Sequence, residues 1–124
     1  MTDITPDIPA GRMVIEAYGG GGFTIGGSRV RGSVLVLPER VSPWSVTRFE
    51  DLSLESLAGV TGEAVELLLV GCGDHFLPAP PALLEGLRAA GVGGEFMDTG
   101  AACRTFNVLL AESRRVAAAL IAVE

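Results

Sequence analysis

Residues 65–97, VELLLVGCGDHFLPAPPALLEGLRAAGVGGEFM, decide the fold of this chain. The run Val65-Glu66-Leu67-Leu68-Leu69-Val70 is nearly continuous in apolar character and stops at Gly71-Cys72-Gly73, the pattern of a strand covered on both faces. A helix is predicted next, with Pro80 or Pro81 in its first turn, Leu83, Leu84 and Leu87 along one side, and Gly91 as its C-terminal stop. Residues 94–97 supply another strand. The connections are short, so this strand-helix-strand unit predicts a right-handed parallel crossover and an α/β fold.

Working outward, residues 98–100 lead into a predicted helix over 102–112, with Phe106, Leu109 and Leu110 at helical spacing. The run over 116–123 is open between two readings. Its three consecutive alanines favour more helix, whereas eight uninterrupted apolar residues suit a strand with both faces buried. On the N-terminal side, residues 13–18 and 23–25 have strand character. Gly19-Gly20-Gly21-Gly22 and Gly26-Gly27-Ser28 mark turns, the second a hairpin signal before the region around Val30. Residues 33–37 read as a buried strand ended by Pro38, so the N-terminal third reads as a β-meander. Residues 43–46 suggest a short extended piece and 52–59 one or two helical turns. Residues 1–12 form a flexible N-terminal arm in this reading, and 13–124 a single domain.

With 124 residues there is material for one core, and 48% hydrophobic against 19% charged residues makes an independently folding, soluble domain the expectation. The nine basic residues are all arginine, and fifteen acids bring the formal net charge to −6. That balance repels phosphate backbones, so no nucleic-acid partner is expected. No apolar run reaches the roughly 20 residues of a membrane-spanning helix, and the start MTDITPDIPAG has neither a basic nor an apolar leader region. These features place the protein in a bacterial cytoplasm with no transmembrane segment. There, Cys72 and Cys103 are expected as thiols rather than a disulfide. A single histidine, His75, argues against a metal site, and no cofactor is implied.

The segments ELLLVGCG over 66–73 and MDTGAACRTFNVLLAESRRVAAALI over 97–121 resemble the signatures of the domain-of-unknown-function family that includes mitochondrial complex I assembly factor 3. Gly22-Phe23, Gly32-Ser33-Val34-Leu35 and Trp44 extend the resemblance to about residues 13–122. It implies a three-layer α/β domain with a mixed central sheet, an N-terminal β-meander layer and packed helices. The last strand, over 115–123, would be central and antiparallel. The implied turn falls at Glu112-Ser113-Arg114, where family members often carry glycine near the position of Ser113. The resemblance also implies protein contacts, since mitochondrial members act as assembly factors for respiratory NADH dehydrogenase. The partner expected for this chain is therefore another protein, a respiratory-complex subunit or assembly factor, and a homo-oligomer is a second partner class. Catalysis is not expected.

The stretch 98–107 gathers Asp98, Thr99, Cys103, Arg104, Thr105 and Asn107. At the C-terminal end of parallel strands it would occupy the usual crevice of an open α/β sheet. Free N–H groups of the helix start, with Arg104, would suit a carboxylate or phosphate. This makes a small-molecule or anion-binding protein, or a weak enzyme, the alternative to a protein-binding module. The bland reading is that Asp98 or Thr99 caps the helix, Arg104 pairs with a carboxylate and Asn107 ties down a loop. Cys72, Asp74 and His75 are secondary candidates. A reactive thiol would need a nearby cation or helix start, but free cysteine is commonly a small buried hydrophobe, and an adjacent Asp-His pair is commonly a surface loop. Neither glycine cluster has the spacing of a nucleotide-binding loop, and there is no lysine for a P-loop. Trp44 reads as a core side chain or as an exposed partner anchor.

Overall fold

The computed structural model describes residues 2–4, 11–62 and 64–124. It contains two sheets in a three-layer α/β arrangement. Strands β1 (Thr2–Asp3), β2 (Ile15–Gly19), β3 (Gly22–Ile25) and β4 (Ser28–Arg31) form an antiparallel sheet in that order. Strands β5 (Val34–Leu37), β6 (Arg40–Pro43), β7 (Leu67–Gly71), β8 (Gly93–Met97) and β9 (Val116–Leu120) form a mixed sheet ordered β6-β5-β9-β7-β8. Helices α1 (Ala58–Thr61), α2 (Pro81–Ala89) and α3 (Thr99–Ala111) complete the domain with two short 3-10 turns, Phe49–Asp51 and Glu55–Leu57.

The small sheet is a meander because its glycines turn the chain tightly. Gly20 and Gly21 have φ of 63° and 79°, and Gly26 and Gly27 have φ of 56° and 85°. Two successive positive φ angles suit two-residue hairpin loops, which few side chains other than glycine tolerate. The meander does not run through the whole N-terminal third, as the sequence reading has it. It ends at β4, and β5 joins the other sheet. The physical reason is burial: all four residues of β5 are buried, Val34 and Val36 toward one face and Leu35 and Leu37 toward the other. Such a strand needs cover on both sides, whereas β4, SRVR, is mostly exposed. Thr2–Asp3, within the arm that the sequence reading leaves loose, pairs with Ala17 and Tyr18 of β2. Residue 1 and residues 5–10 of that arm lie outside the described residues.

The mixed sheet separates two cores. Leu68, Val70, Ala117, Ala119 and Leu35 face α1, α2 and the 3-10 turn before α1, where Leu57, Val60, Leu83 and Leu87 are buried. Leu69, Val116, Ala118, Leu120 and Val36 face α3 and the small sheet, meeting Phe106, Leu110, Ile15 and Phe23. Trp44 is a core side chain, buried with its indole N–H donating to Ser56 O at 2.8 Å. β7 and β8 pair in parallel, as the crossover unit requires.

The ambiguous C-terminal run is a strand. β9 is central, antiparallel to β5 and parallel to β7, with all five residues buried. Alanine favours helix in isolation, but the helix is stopped just upstream. Ser113 N–H donates to Leu110 O and Arg114 N–H to Leu109 O, both at 3.0 Å, which is a Schellman closure with Ser113 in its left-handed position. Among the described residues Ser113 is the one non-glycine residue with positive φ, 59°. The left-handed conformation costs an L side chain about 1–2 kcal/mol, partly offset in a glycine variant by greater unfolded-state entropy. Ser113→Gly is therefore expected to stabilise the protein by about 0.5–1 kcal/mol, seen as a rise in Tm of roughly 2–5 °C by calorimetry. An unchanged or lower Tm would show that the serine is held there at no cost.

Candidate functional site

The start of α3 lies beyond the C-terminal ends of the parallel strands, and the backbone there is closely tied. Cys72 N–H donates to Met97 O at 2.8 Å, and Ile121 N–H to Gly71 O at 3.1 Å. Thr99 and Gly73 exchange two bonds: Thr99 N–H donates to Gly73 O at 2.9 Å, and Gly73 N–H to Thr99 Oγ1 at 3.0 Å. The fully buried Thr99 hydroxyl donates in turn to Ile121 O at 2.7 Å. One threonine thus joins the ends of β7 and β9 to the first turn of α3. Gly71 permits this, since a Cβ there would sit 2.9 Å from the Thr99 Cα.

Asp98 is the N-cap of α3, its carboxylate accepting from Ala101 N–H at 2.9 Å. With the Thr99 N–H also engaged, two of the amides expected to greet an anion are occupied, and a carboxylate already stands at the positive end of the helix. Asn107, buried one helical face further on, uses both ends of its amide on one residue. Its Oδ1 accepts from Ile15 N–H at 2.9 Å and its Nδ2 donates to Ile15 O at 2.8 Å. The side chain completes the edge of β2 as a neighbouring strand would. Among the described residues no buried side-chain nitrogen or oxygen lacks a partner.

Cys103 is fully buried in the core beneath α3, and burial pushes its thiol up to about 12, outweighing the small opposite pull of Arg104. Cys72 is raised as well, again chiefly by burial, and its Sγ lies 3.8 Å from Val70 O and 3.7 Å from Leu77 O. Both are protonated at neutral pH, the opposite of a nucleophilic thiolate. Asp74 and His75 are exposed on the β7–α2 connection. Thr105 is half-buried on α3. Among the described residues no group of three or more His, Cys, Asp or Glu side chains is placed to hold a metal ion.

Arg104 alone of the motif's charged groups reaches outward. Its Nη1 donates to the hydroxyl of Tyr18 at 3.1 Å. Tyr18 escapes a sequence reading because 86 positions separate the pair. Gly100 carries the only local trace of it, since a Cβ there would lie 2.6 Å from the Tyr18 hydroxyl. Arg104 also borders a shallow groove of about 470 Å³ between Ile4 and α3, whose floor includes Val108 and Ala111. The motif as a whole therefore divides. Asp98, Thr99, Cys103 and Asn107 build the fold, and Arg104 faces solvent.

Comparison with known proteins agrees with this architecture. An uncharacterized protein of Rhodobacter capsulatus is 45% identical over 113 residues, spanning 90% of this chain and 86% of that one. A Xenopus tropicalis protein named NADH dehydrogenase (ubiquinone) 1 alpha subcomplex assembly factor 3 is 41% identical over 111 residues, 88% of this chain. This chain spans only 61% of that relative's length. A crystal structure of a Bartonella henselae protein, described as an outer membrane protein, superposes with a TM-score of 0.85 at 41% identity, covering 93% of this chain and 98% of the other. With the family model matching residues 15–121, this chain belongs to the family of proteins of unknown function DUF498/DUF598.

Proposed function

We propose that this protein is a non-enzymatic protein-binding module of the bacterial cytoplasm that assists assembly of respiratory NADH dehydrogenase. The observation that carries the reading is the similarity over 88% of the chain to a protein named as an assembly factor of that enzyme. The internal use of Asp98, Thr99 and Asn107 supports it, because few groups of the motif remain to do chemistry on a small substrate. No helix among the described residues is long and apolar enough to cross a membrane.

A partner contact has a suitable surface at the β7–α2 connection. Asp74, His75, Phe76 and Leu77 are consecutive and exposed there, with Phe76 60% accessible. An exposed aromatic beside an aliphatic side chain and flanking charge is the composition of an interface anchor. Tagged protein captured from its own detergent-solubilised cells is expected to bring down NADH dehydrogenase subunits. Phe76→Asp is expected to reduce that recovery at least tenfold with the fold intact by circular dichroism, since loss of one anchor commonly costs 2 kcal/mol or more. Recovery of a metabolite and no such subunit would overturn the assembly reading in favour of a ligand-binding protein.

A further inference from the structure

Helix α3 presents one face to the core and another to solvent, and the solvent face has an internal symmetry. Val108 lies in the last turn of α3 and is 57% exposed, one of four large hydrophobic side chains left open to solvent among the described residues. Arg104 stands four residues before it and Glu112 four residues after, both exposed. Thr105 and Ala111 stand three before and three after. Reversing the helix about Val108 therefore exchanges the cation with the anion and one small side chain with another.

We propose that a second copy of this chain covers this face, with α3 against α3, antiparallel, about a two-fold axis at Val108. An isologous interface sets each position against its mirror position on the partner. Arg104 of each copy then meets Glu112 of the other, twice over, and the two Val108 side chains meet on the axis. Thr105 and Ala111, both small, allow the helices to approach to about 8–10 Å. A parallel pairing would instead stack Arg104 on Arg104 and Glu112 on Glu112, so the charges select the antiparallel arrangement.

Both charged groups are available. Among the described residues Arg104 has no carboxylate partner, and its hydrogen bond is to the Tyr18 hydroxyl. The cation nearest Glu112 in the chain, Arg114, is hydrogen-bonded to Glu66 at 2.6 Å and feels Glu112 only as a weaker charge, with no ion pair between the two among the described residues. Ile4, on the far side of the groove, adds apolar surface along the partner helix. The contact spans about 12 Å from Arg104 to Glu112, eight steps of about 1.5 Å rise. It is smaller than the interfaces of permanent dimers, so a dissociation constant on the order of 100 µM is expected, weakening with salt.

Analytical ultracentrifugation from about 10 µM to 1 mM tests this, bracketing that constant. The wild-type chain is expected to move from monomer toward dimer over the range. Arg104→Glu alone and Glu112→Arg alone are each expected to associate at least tenfold more weakly, because each places like charges in both contacts. An equimolar mixture of the two variants is expected to recover association, since both contacts then pair opposite charges. Thermal melts of the variants confirm that each is folded. A wild-type chain that stays monomeric, a dimer indifferent to both charge reversals, or a mixture no stronger than its components would each overturn the proposal. It does not rest on the assembly reading, whose test uses Phe76 on another surface.

Discussion

Replacing Asn107 by leucine is expected to cost about 4 kcal/mol of stability, from two orphaned backbone groups at about 1–3 kcal/mol each. The amide is buried, and it satisfies both the N–H and the C=O of Ile15, itself fully buried at the edge of β2. Leucine keeps the heavy-atom count and γ-branching of asparagine, so the change opens no cavity and the loss reports chiefly the orphaned polar groups. Urea denaturation at neutral pH should show a lower midpoint with an unchanged slope. For a domain whose total stability lies near 5–15 kcal/mol, the variant would be visibly weakened at growth temperature. A loss below about 1 kcal/mol would mean that the Ile15 peptide finds other partners once Asn107 is replaced.

Alkaline destabilisation through Cys103 is the second large effect. Its thiol is pushed up to about 12 in the folded protein by burial, against about 8.5 in an unfolded chain. Above the unfolded value the unfolded chain gives up the proton and the folded one keeps it. Stability is therefore fully present below about pH 8.5 and falls by about 1.4 kcal/mol per pH unit as the pH rises toward 12. Cys72, raised for the same reason, acts in the same direction. Between pH 7.5 and 10 the wild-type chain is expected to lose about 2 kcal/mol more than Cys103→Ala, measured by denaturation of each at both pH values. Equal losses would show a thiol that ionises in the folded state, and would reopen a redox or nucleophilic role for it.

Much of the architecture is legible in local pattern. The strand over 65–70, the helix with its proline start and Gly91 stop, and the glycine hairpins each follow from residues near one another in the chain, and the structure has them as β7, α2 and the meander. Such signals are legible because they depend on backbone angles and one-dimensional periodicity. The run over 116–123 is different. Alanine propensity argues for helix, and β9 forms because β5 and β7 leave a gap that a thin, two-sided apolar strand fills. The family resemblance pointed to that strand, which periodicity alone leaves open.

The 98–107 motif shows the same division at the level of side chains. Composition marks these residues as chemically rich, and Asp98 caps a helix as its position before one suggests. What each of the others does is settled by residues far away in sequence. Thr99 is held by Gly73 and Ile121, Asn107 by Ile15, and Arg104 by Tyr18. A polar side chain is functional or structural according to whether its hydrogen bonds are already made, and that depends on which distant backbone groups the sheet brings beside it.

By itself, then, the sequence determined the class of fold, the places of the turns and helix ends, and membership of a family, since these are encoded in local spacing and apolar period. Only the tertiary structure decided that β5 leaves the meander for the central sheet, that β9 runs parallel to β7, and that four of the six motif residues are used up inside the domain. Pairing partners and burial are properties of the packed chain, and no stretch of residues carries them alone.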